Sequence, residues 1–205
     1  MGNEANCTVK FGKQRLSGKA LLESSELIFR SDNGSLRLKI AFSSITSAKV
    51  INGELRLKGP EGLAVFELGT TAVKWCEKIL HPKTRLEKLG VRPNAIVSSM
   101  GHFDAEFLAE LSACTRNVTT GKVASAPDLI FFAAESFRDL SQLAKLTKNM
   151  EGASALWIIY PKGQKEITEK DVLIAVRKTG LKDVKVVGFS STHTALKFVI
   201  PVDRR

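Results

Sequence analysis

At 205 residues, with 43% hydrophobic and 25% charged side chains, the chain has an ordinary globular composition that excludes extensive disorder, and its length suits two domains of about a hundred residues each. No apolar run approaches the ~18 residues of a membrane span and no signal-peptide pattern opens the sequence, so a soluble cytoplasmic protein is expected. The net charge of +10 is spread over both halves without a basic run, which predicts a solvated surface with at most a weak attraction to an acidic protein or another polyanion.

Cys7, Cys76 and Cys114 are widely scattered, odd in number and without metal-ligand spacing, so they read as reduced thiols and no metal is expected. Met1-Gly2 lacks the Ser or Thr at position 6 that myristoylation requires, because Asn6 stands there.

The first 70 residues hold short alternating runs separated by turn residues. Strands are expected at Cys7–Phe11, Leu16–Glu23, Glu26–Ser31, Leu36–Phe42, Ala48–Ile51, Glu54–Lys58 and Leu63–Leu68. Asp32-Asn-Gly34 and Asn52-Gly53 mark hairpin turns, since Asn and Gly tolerate positive φ. Leu36, Leu38 and Ile40 alternate with Arg37 and Lys39, giving one dry and one wet face. A helix follows from Thr70 or Thr71 to Leu80, stopped by Pro82. Its stripe of Ala72, Val73, Cys76, Ile79 and Leu80 is expected to face a core, with Trp75 at its flank.

Seven strands closed by one helix resemble the pleckstrin-homology-like superfold over residues 7 to 81. The matching residues are Gly62-Leu-Ala-Val-Phe-Glu67 and Val73-Lys-Trp-Cys-Glu-Lys-Ile79. In phosphoinositide-binding members a Lys ends the first strand and a basic-x-Arg triplet follows; Lys10 with Lys13-Gln-Arg15 can be laid on that pattern. The resemblance therefore implies either lipid head-group recognition or, more commonly in such folds, peptide binding or scaffolding.

Beyond the junction Pro82 to Leu89, strands alternate with helices, the order of a mostly parallel α/β sheet. A first strand is expected at Ala95-Ile-Val-Ser98 and its turn at Ser99-Met-Gly-His-Phe-Asp104, before a helix over Phe103 to Ala113 capped by Asp104. A second strand is expected over Asn117 to Ala124, a third at Leu129-Ile-Phe-Phe-Ala133, and then a helix Phe137 to Leu146. Leu156, Trp157, Ile158, Ile159 and Tyr160 form an unbroken apolar run, the pattern of a strand buried on both faces. Pro161-Lys-Gly163 ends it. A helix opens at Thr168 with Asp171 three residues on, and Val172, Ala175, Val176 and Thr179 share one side before Gly180. Val184 to Phe189 and Leu196 to Val202 are the last expected strands, joined by Ser190-Ser-Thr-His-Thr194.

Residues Leu86 to Ile200 resemble a bacterial family of short proteins with a pared-down, Rossmann-like methyltransferase fold. The resemblance rests on Leu89-Gly-Val-Arg-Pro-Asn-Ala95, Asp128-Leu129, the small-Leu-Trp-x-x-x-Pro-Lys strand Ala155 to Lys162, Leu181-Lys-Asp-Val-Lys-Val186 and Ala195-Leu-Lys-Phe-Val-Ile200. Where the family has an aromatic residue before the last strand, this chain has His193. The resemblance implies a fold and brings no activity with it. The expected architecture is thus a seven-strand barrel domain over residues 1–82, followed by a reduced α/β domain over residues 83–205.

In such a sheet a ligand lies at the carboxyl ends of the strands. S-adenosylmethionine is usually held by a Gly-rich loop after the first strand and an acidic residue ending the second. Here that loop has only Gly101, flanked by Met100, His102 and Phe103, and the second strand runs into Ser125-Ala126-Pro127 without a carboxylate. No cofactor is expected on this reading. Gly101, His102, Asp104, Glu135, Ser136, Lys162 and His193 form the candidate crevice, but none is assigned a catalytic role. Asp104 is read first as a cap, Glu135 and Ser136 as a helix start, Lys162 as a solvated turn residue, and His102 and His193 as loop histidines. The expected function is non-catalytic binding or scaffolding. The alternative is a divergent S-adenosylmethionine- or nucleotide-dependent transferase with its ligand above Gly101.

Overall fold

The computed structural model describes residues 3–205, and the chain divides into two compact units, the first closing at Lys83 and the second opening at Thr84. In the first unit, strands β1 (Asn3–Phe11), β2 (Gln14–Leu22), β3 (Glu26–Ser31), β4 (Arg37–Ala41), β5 (Ser47–Ile51), β6 (Glu54–Gly59) and β7 (Gly62–Glu67) precede helix α1 (Thr71–Leu80). Every pairing is antiparallel, and β1 bonds to both β2 and β7, so the order is β4-β3-β2-β1-β7-β6-β5 and the sheet curls with β4 and β5 as its edges. Asn52 and Gly53 both take positive φ (50° and 78°) between β5 and β6, the two-residue turn that matches strand twist.

Gly18 is obligatory for a different reason. A Cβ there would stand 2.2 Å from the Arg30 carbonyl oxygen and 2.8 Å from the Phe29 ring, so β2 can cross β3 this closely only without a side chain. Alternate residues of the strands, Val9, Ala20, Leu22, Phe29, Leu55 and Phe66 among them, fill the inside of the curl. The Phe29 and Phe66 rings meet edge-on at 6.3 Å. Helix α1 lies over the end of this core with Ala72, Trp75, Cys76 and Ile79 buried. The helical stripe is therefore rotated from the expected one: Trp75 is inside, whereas Val73 and Leu80 are half-exposed. Burying the large indole takes more apolar area from water than burying Val and Leu at the flank.

The second unit contains α2 (Arg85–Leu89), β8 (Val97–Met100), α3 (Ala105–Cys114), β9 (Val118–Thr120), β10 (Leu129–Ala133), a 3-10 turn (Phe137–Gln142), α4 (Leu143–Thr147), β11 (Ala155–Pro161), α5 (Glu169–Arg177), β12 (Lys182–Gly188) and β13 (His193–Val199). The six strands order as β12-β13-β11-β10-β8-β9. β8, β9, β10 and β11 run parallel, while β13 is antiparallel to both its neighbours. Strand side chains alternate between two cores. Phe131, Trp157 and Ile159 meet α2 and α3 on one face; Ile130, Phe132, Leu156 and Ile158 meet the Leu140–Leu146 segment and α5 on the other. Cover on both faces is why Leu156 to Tyr160 show no polar alternation.

Thr168 and Asp171 start α5 as expected. The Asp171 carboxylate accepts from the Thr168 N–H (3.0 Å) and hydroxyl (2.6 Å), and these bonds hold its pKa below the ordinary carboxylate value. Several expected boundaries move. The first strand begins at Val97 rather than Ala95, because Ala95 and Ile96 are held by side chains: Thr115 Oγ1 donates to the Ala95 carbonyl (2.8 Å) and the Asp128 carboxylate accepts from the Ile96 N–H (2.8 Å). The second strand keeps only Val118–Thr120, since Gly121 turns the chain at φ 77° and the Ala124 N–H donates to the buried Ser98 hydroxyl. The expected helix over Phe137 to Leu146 is a 3-10 turn followed by α4. The last two strands start and stop earlier than expected, which frees Phe189 to pack against Phe103 and Phe107.

Candidate functional site

The chain leaves β8 for β9 on one side and later returns to place β10 on the other, so the strand order reverses beside β8. Doubly wound sheets receive ligands above the strand carboxyl ends at such a point. Gly101 follows β8 directly at φ 89°. A Cβ on it would lie 2.5 Å from the Ala133 carbonyl oxygen and 3.1 Å from the Ala133 Cβ. The glycine therefore seats the β8 loop on the end of β10, and the space that a side chain would need is filled by protein.

His102 is exposed in the same turn. Asp104 caps α3, accepting from the Phe107 N–H at 2.7 Å, and its other oxygen lies 4.0 Å from Arg85. Arg85 is itself largely covered. It grips Glu110 through two hydrogen bonds of 3.0 Å and stands 5.1 Å from both the Phe107 and Phe189 ring centroids. Ser136 is turned toward Asp139, whose carboxylate accepts from the Ser136 N–H and hydroxyl and from the Glu135 N–H.

Three of the expected residues do converge. Glu135, after β10, approaches His193, the first residue of β13, with Oε1 3.5 Å from Nε2. Lys162, after β11, donates to the carbonyls of Ser190 (2.7 Å) and Ser191 (3.3 Å) in the hairpin that carries His193. That hairpin adds two residues that pattern reading had treated as a linker. Thr192 Oγ1 lies 2.9 Å from His193 Nδ1, and Ser190 Oγ lies 3.2 Å from Thr192 Oγ1 while accepting from the His193 N–H. Ser190, Thr192, His193 and Glu135 thus form one continuous polar chain across the carboxyl edges of β10 and β11. The Ser-x-Thr-His spacing was visible in the sequence. That the Glu135 carboxylate, 58 residues before His193, closes it was not.

At the end of β9 the residues are Thr120, Gly121 and Lys122, so a ribose carboxylate is missing there and a ligand would have to be gripped by other groups. In the first unit, the cations matched to a phosphoinositide pattern are largely spent on carboxylates. Lys10 Nζ lies 3.1 Å from both Glu54 and Glu67, Arg15 bonds Glu67, and Arg56 bonds Glu54. These hydrogen bonds lower the pKa of Glu54 and Glu67 and raise that of Lys10. The buried Cys7 thiol nearby is pushed up to about 11, by desolvation first and then by the Glu67 charge, so it is not a poised nucleophile.

No family model matches the chain, and no curated protein does. Solved structures similar to it have methyltransferase-like folds. One is an S-adenosylmethionine-dependent methyltransferase from Aquifex aeolicus, with 17% identity, a TM-score of 0.43, and 57% of this chain and 87% of that one covered. Another is the fibrillarin pre-rRNA processing protein of Methanococcus jannaschii, with 12% identity, a TM-score of 0.41, and 94% and 97% covered. A third is a TehB-like S-adenosylmethionine-dependent methyltransferase from Corynebacterium glutamicum, with 12% identity, a TM-score of 0.40, and 63% and 96% covered.

One expectation is corrected by these likenesses. The sequence predicts no cofactor, whereas two of these structures are described as S-adenosylmethionine-dependent. An expectation of no cofactor conflicts with the usual ligand of that fold and is dropped. Among the described residues, no helix is long and apolar enough to cross a membrane.

Proposed function

We propose that the chain is a binding protein made of a pleckstrin-homology-like first domain and a methyltransferase-like second domain, and that the carboxyl edge of the second sheet takes up a ligand without transferring a methyl group. The observation that carries this reading is the contact of Gly101 with Ala133. It fills the place where a glycine loop would otherwise let a ligand approach the backbone, so the ligand sits further along the edge, toward Glu135, Lys162 and His193. S-adenosylmethionine is the first ligand to test. The full chain should be titrated with S-adenosylmethionine and S-adenosylhomocysteine by calorimetry. Production of S-adenosylhomocysteine should then be followed with protein, RNA and small-molecule acceptors. Binding without turnover supports the proposal; steady turnover above the uncatalysed background overturns it.

A second reading has one observation in its favour. A hydroxyl, an imidazole and a carboxylate in series can move a proton, and Thr192, His193 and Glu135 are so arranged. If turnover is found, His193→Gln and Glu135→Gln should abolish it while leaving ligand affinity within a few fold. That result would identify a divergent transferase.

A further inference from the structure

The paired strands of the second sheet place six residues in one cross-strand row: Lys185, Lys197, Trp157, Phe131, Ser99 and Thr120. Residues directly opposite one another share a face. The middle of this row is dry, with Trp157 and Phe131 fully buried. Its outer end is two lysines side by side on β12 and β13, their Cβ atoms about 5 Å apart by strand geometry.

Like charges in that position repel and destabilise a sheet. Among the described residues, no Asp or Glu forms a salt bridge with Lys185, Lys197 or Arg92. The contrast with the first unit is direct, because there Lys10, Arg15 and Arg56 all find Glu54 or Glu67. Both lysines are nevertheless held in place. Lys185 Nζ donates to the Lys88 carbonyl (2.6 Å) in the last turn of α2, and Lys197 Nζ stands 5.8 Å from the Trp157 ring centroid. Burial first, then the charges of Lys185 and Arg92, lower the pKa of the Lys197 ammonium.

We propose that Lys185 and Lys197 form a binding site for the phosphate group of a small ligand, on the sheet face rather than at the strand carboxyl edge. Two adjacent ammoniums act as point charges, a set that suits a compact, multiply charged oxyanion with several acceptors. A single-stranded nucleic acid is a poorer match. Its binding needs exposed aromatic platforms along a basic groove, and the Trp157 ring in this row is sealed from solvent.

The test uses the full chain and three probes: sodium pyrophosphate, ADP and a twelve-nucleotide RNA, each against sodium chloride at matched ionic strength. Pyrophosphate or ADP should bind saturably in calorimetry and raise the melting temperature by several degrees at a hundred times the dissociation constant. A response to pyrophosphate and ADP alike marks any terminal phosphate as sufficient; a response to ADP alone marks a nucleotide as the source. Lys185→Gln, at an exposed position, should weaken binding at least tenfold. Lys122→Gln, at the far edge of the sheet, should not. Lys197→Gln should do the same as Lys185→Gln and, without anion, melt no lower than the parent, because it removes repulsion. If Lys197→Gln fails to fold, the exposed variant Lys185→Gln decides. A salt-like effect that does not saturate, or one lost equally in Lys122→Gln, overturns the site. So does RNA binding that exceeds both small probes and vanishes in Lys185→Gln.

Discussion

The indole N–H of Trp157 donates to the main-chain carbonyl of Leu89 at 2.9 Å, with both residues fully buried. A fully buried residue of a middle strand of the second sheet is thereby bonded to the end of α2, where Gly90 turns the chain at φ 79°. Replacing Trp157 with Phe should keep most of the packing but leave that carbonyl without its partner. The expected cost is about 1–3 kcal/mol for an unsatisfied buried acceptor, read as a melting temperature several degrees lower. An unchanged melt would mean that the bond contributes nothing to the fold.

Gly101 and Gly121 offer a matched pair of substitutions. Both take positive φ, but a Cβ on Gly121 meets nothing within 4 Å, whereas one on Gly101 runs into Ala133. Gly121→Ala should cost roughly 1–2 kcal/mol from backbone conformation alone. Gly101→Ala should add about 1–3 kcal/mol of overpacking. Equal losses in chemical denaturation would show that the β8 loop is not seated on β10 as described.

The cluster of Lys10, Arg15, Glu54, Arg56 and Glu67 makes a pH-dependent prediction. The folded pKa values of Glu54 and Glu67 are depressed by their hydrogen bonds, so their contribution is complete above the ordinary Glu value. It is lost as the pH falls through the lower folded values. Lys10, with its pKa raised, contributes fully below the ordinary Lys value and loses this as the pH rises through the higher one. The double variant Glu54→Gln, Glu67→Gln should therefore melt below the parent near neutrality and converge with it in acid. Because these side chains are partly exposed, 1 M salt should narrow the gap as well. A gap that persists at pH 2 would assign the loss to packing.

Residues 1–83 and 84–205 should each fold when expressed alone. Each has its own core, with Trp75 inside one and Trp157 inside the other. Two cooperative melts by tryptophan fluorescence are the expected result. Two unfolded fragments from a chain that folds when whole would refute the division.

Much of the architecture was legible because it depends on local pattern. Alternation at Leu36–Ile40, the Asn52-Gly53 turn and the Thr168–Asp171 capping box are each decided by residues a few positions apart. Helix α2 is encoded just as locally, through its Thr84 and Glu87 box and Gly90, inside the segment expected as a junction. The side of α1 that faces inward was not legible. Val73 and Trp75 are both apolar, and only packing against the curled sheet decides that Trp75 is buried and Val73 exposed.

By itself, the sequence determined two successive patterns: short alternating strands closed by a helix, then apolar strands separated by helices. Period and turn chemistry act along the chain, so one dimension is enough to read them. Tertiary structure alone decided which distant residues meet. It set Gly101 against Ala133, closed the Ser190–Thr192–His193 hairpin with Glu135, matched the cations of the first sheet to Glu54 and Glu67, and placed Lys185 opposite Lys197. Strand register makes those choices. A shift of one residue turns every side chain to the opposite face, and register is settled by packing across the sheet rather than by neighbours along the chain.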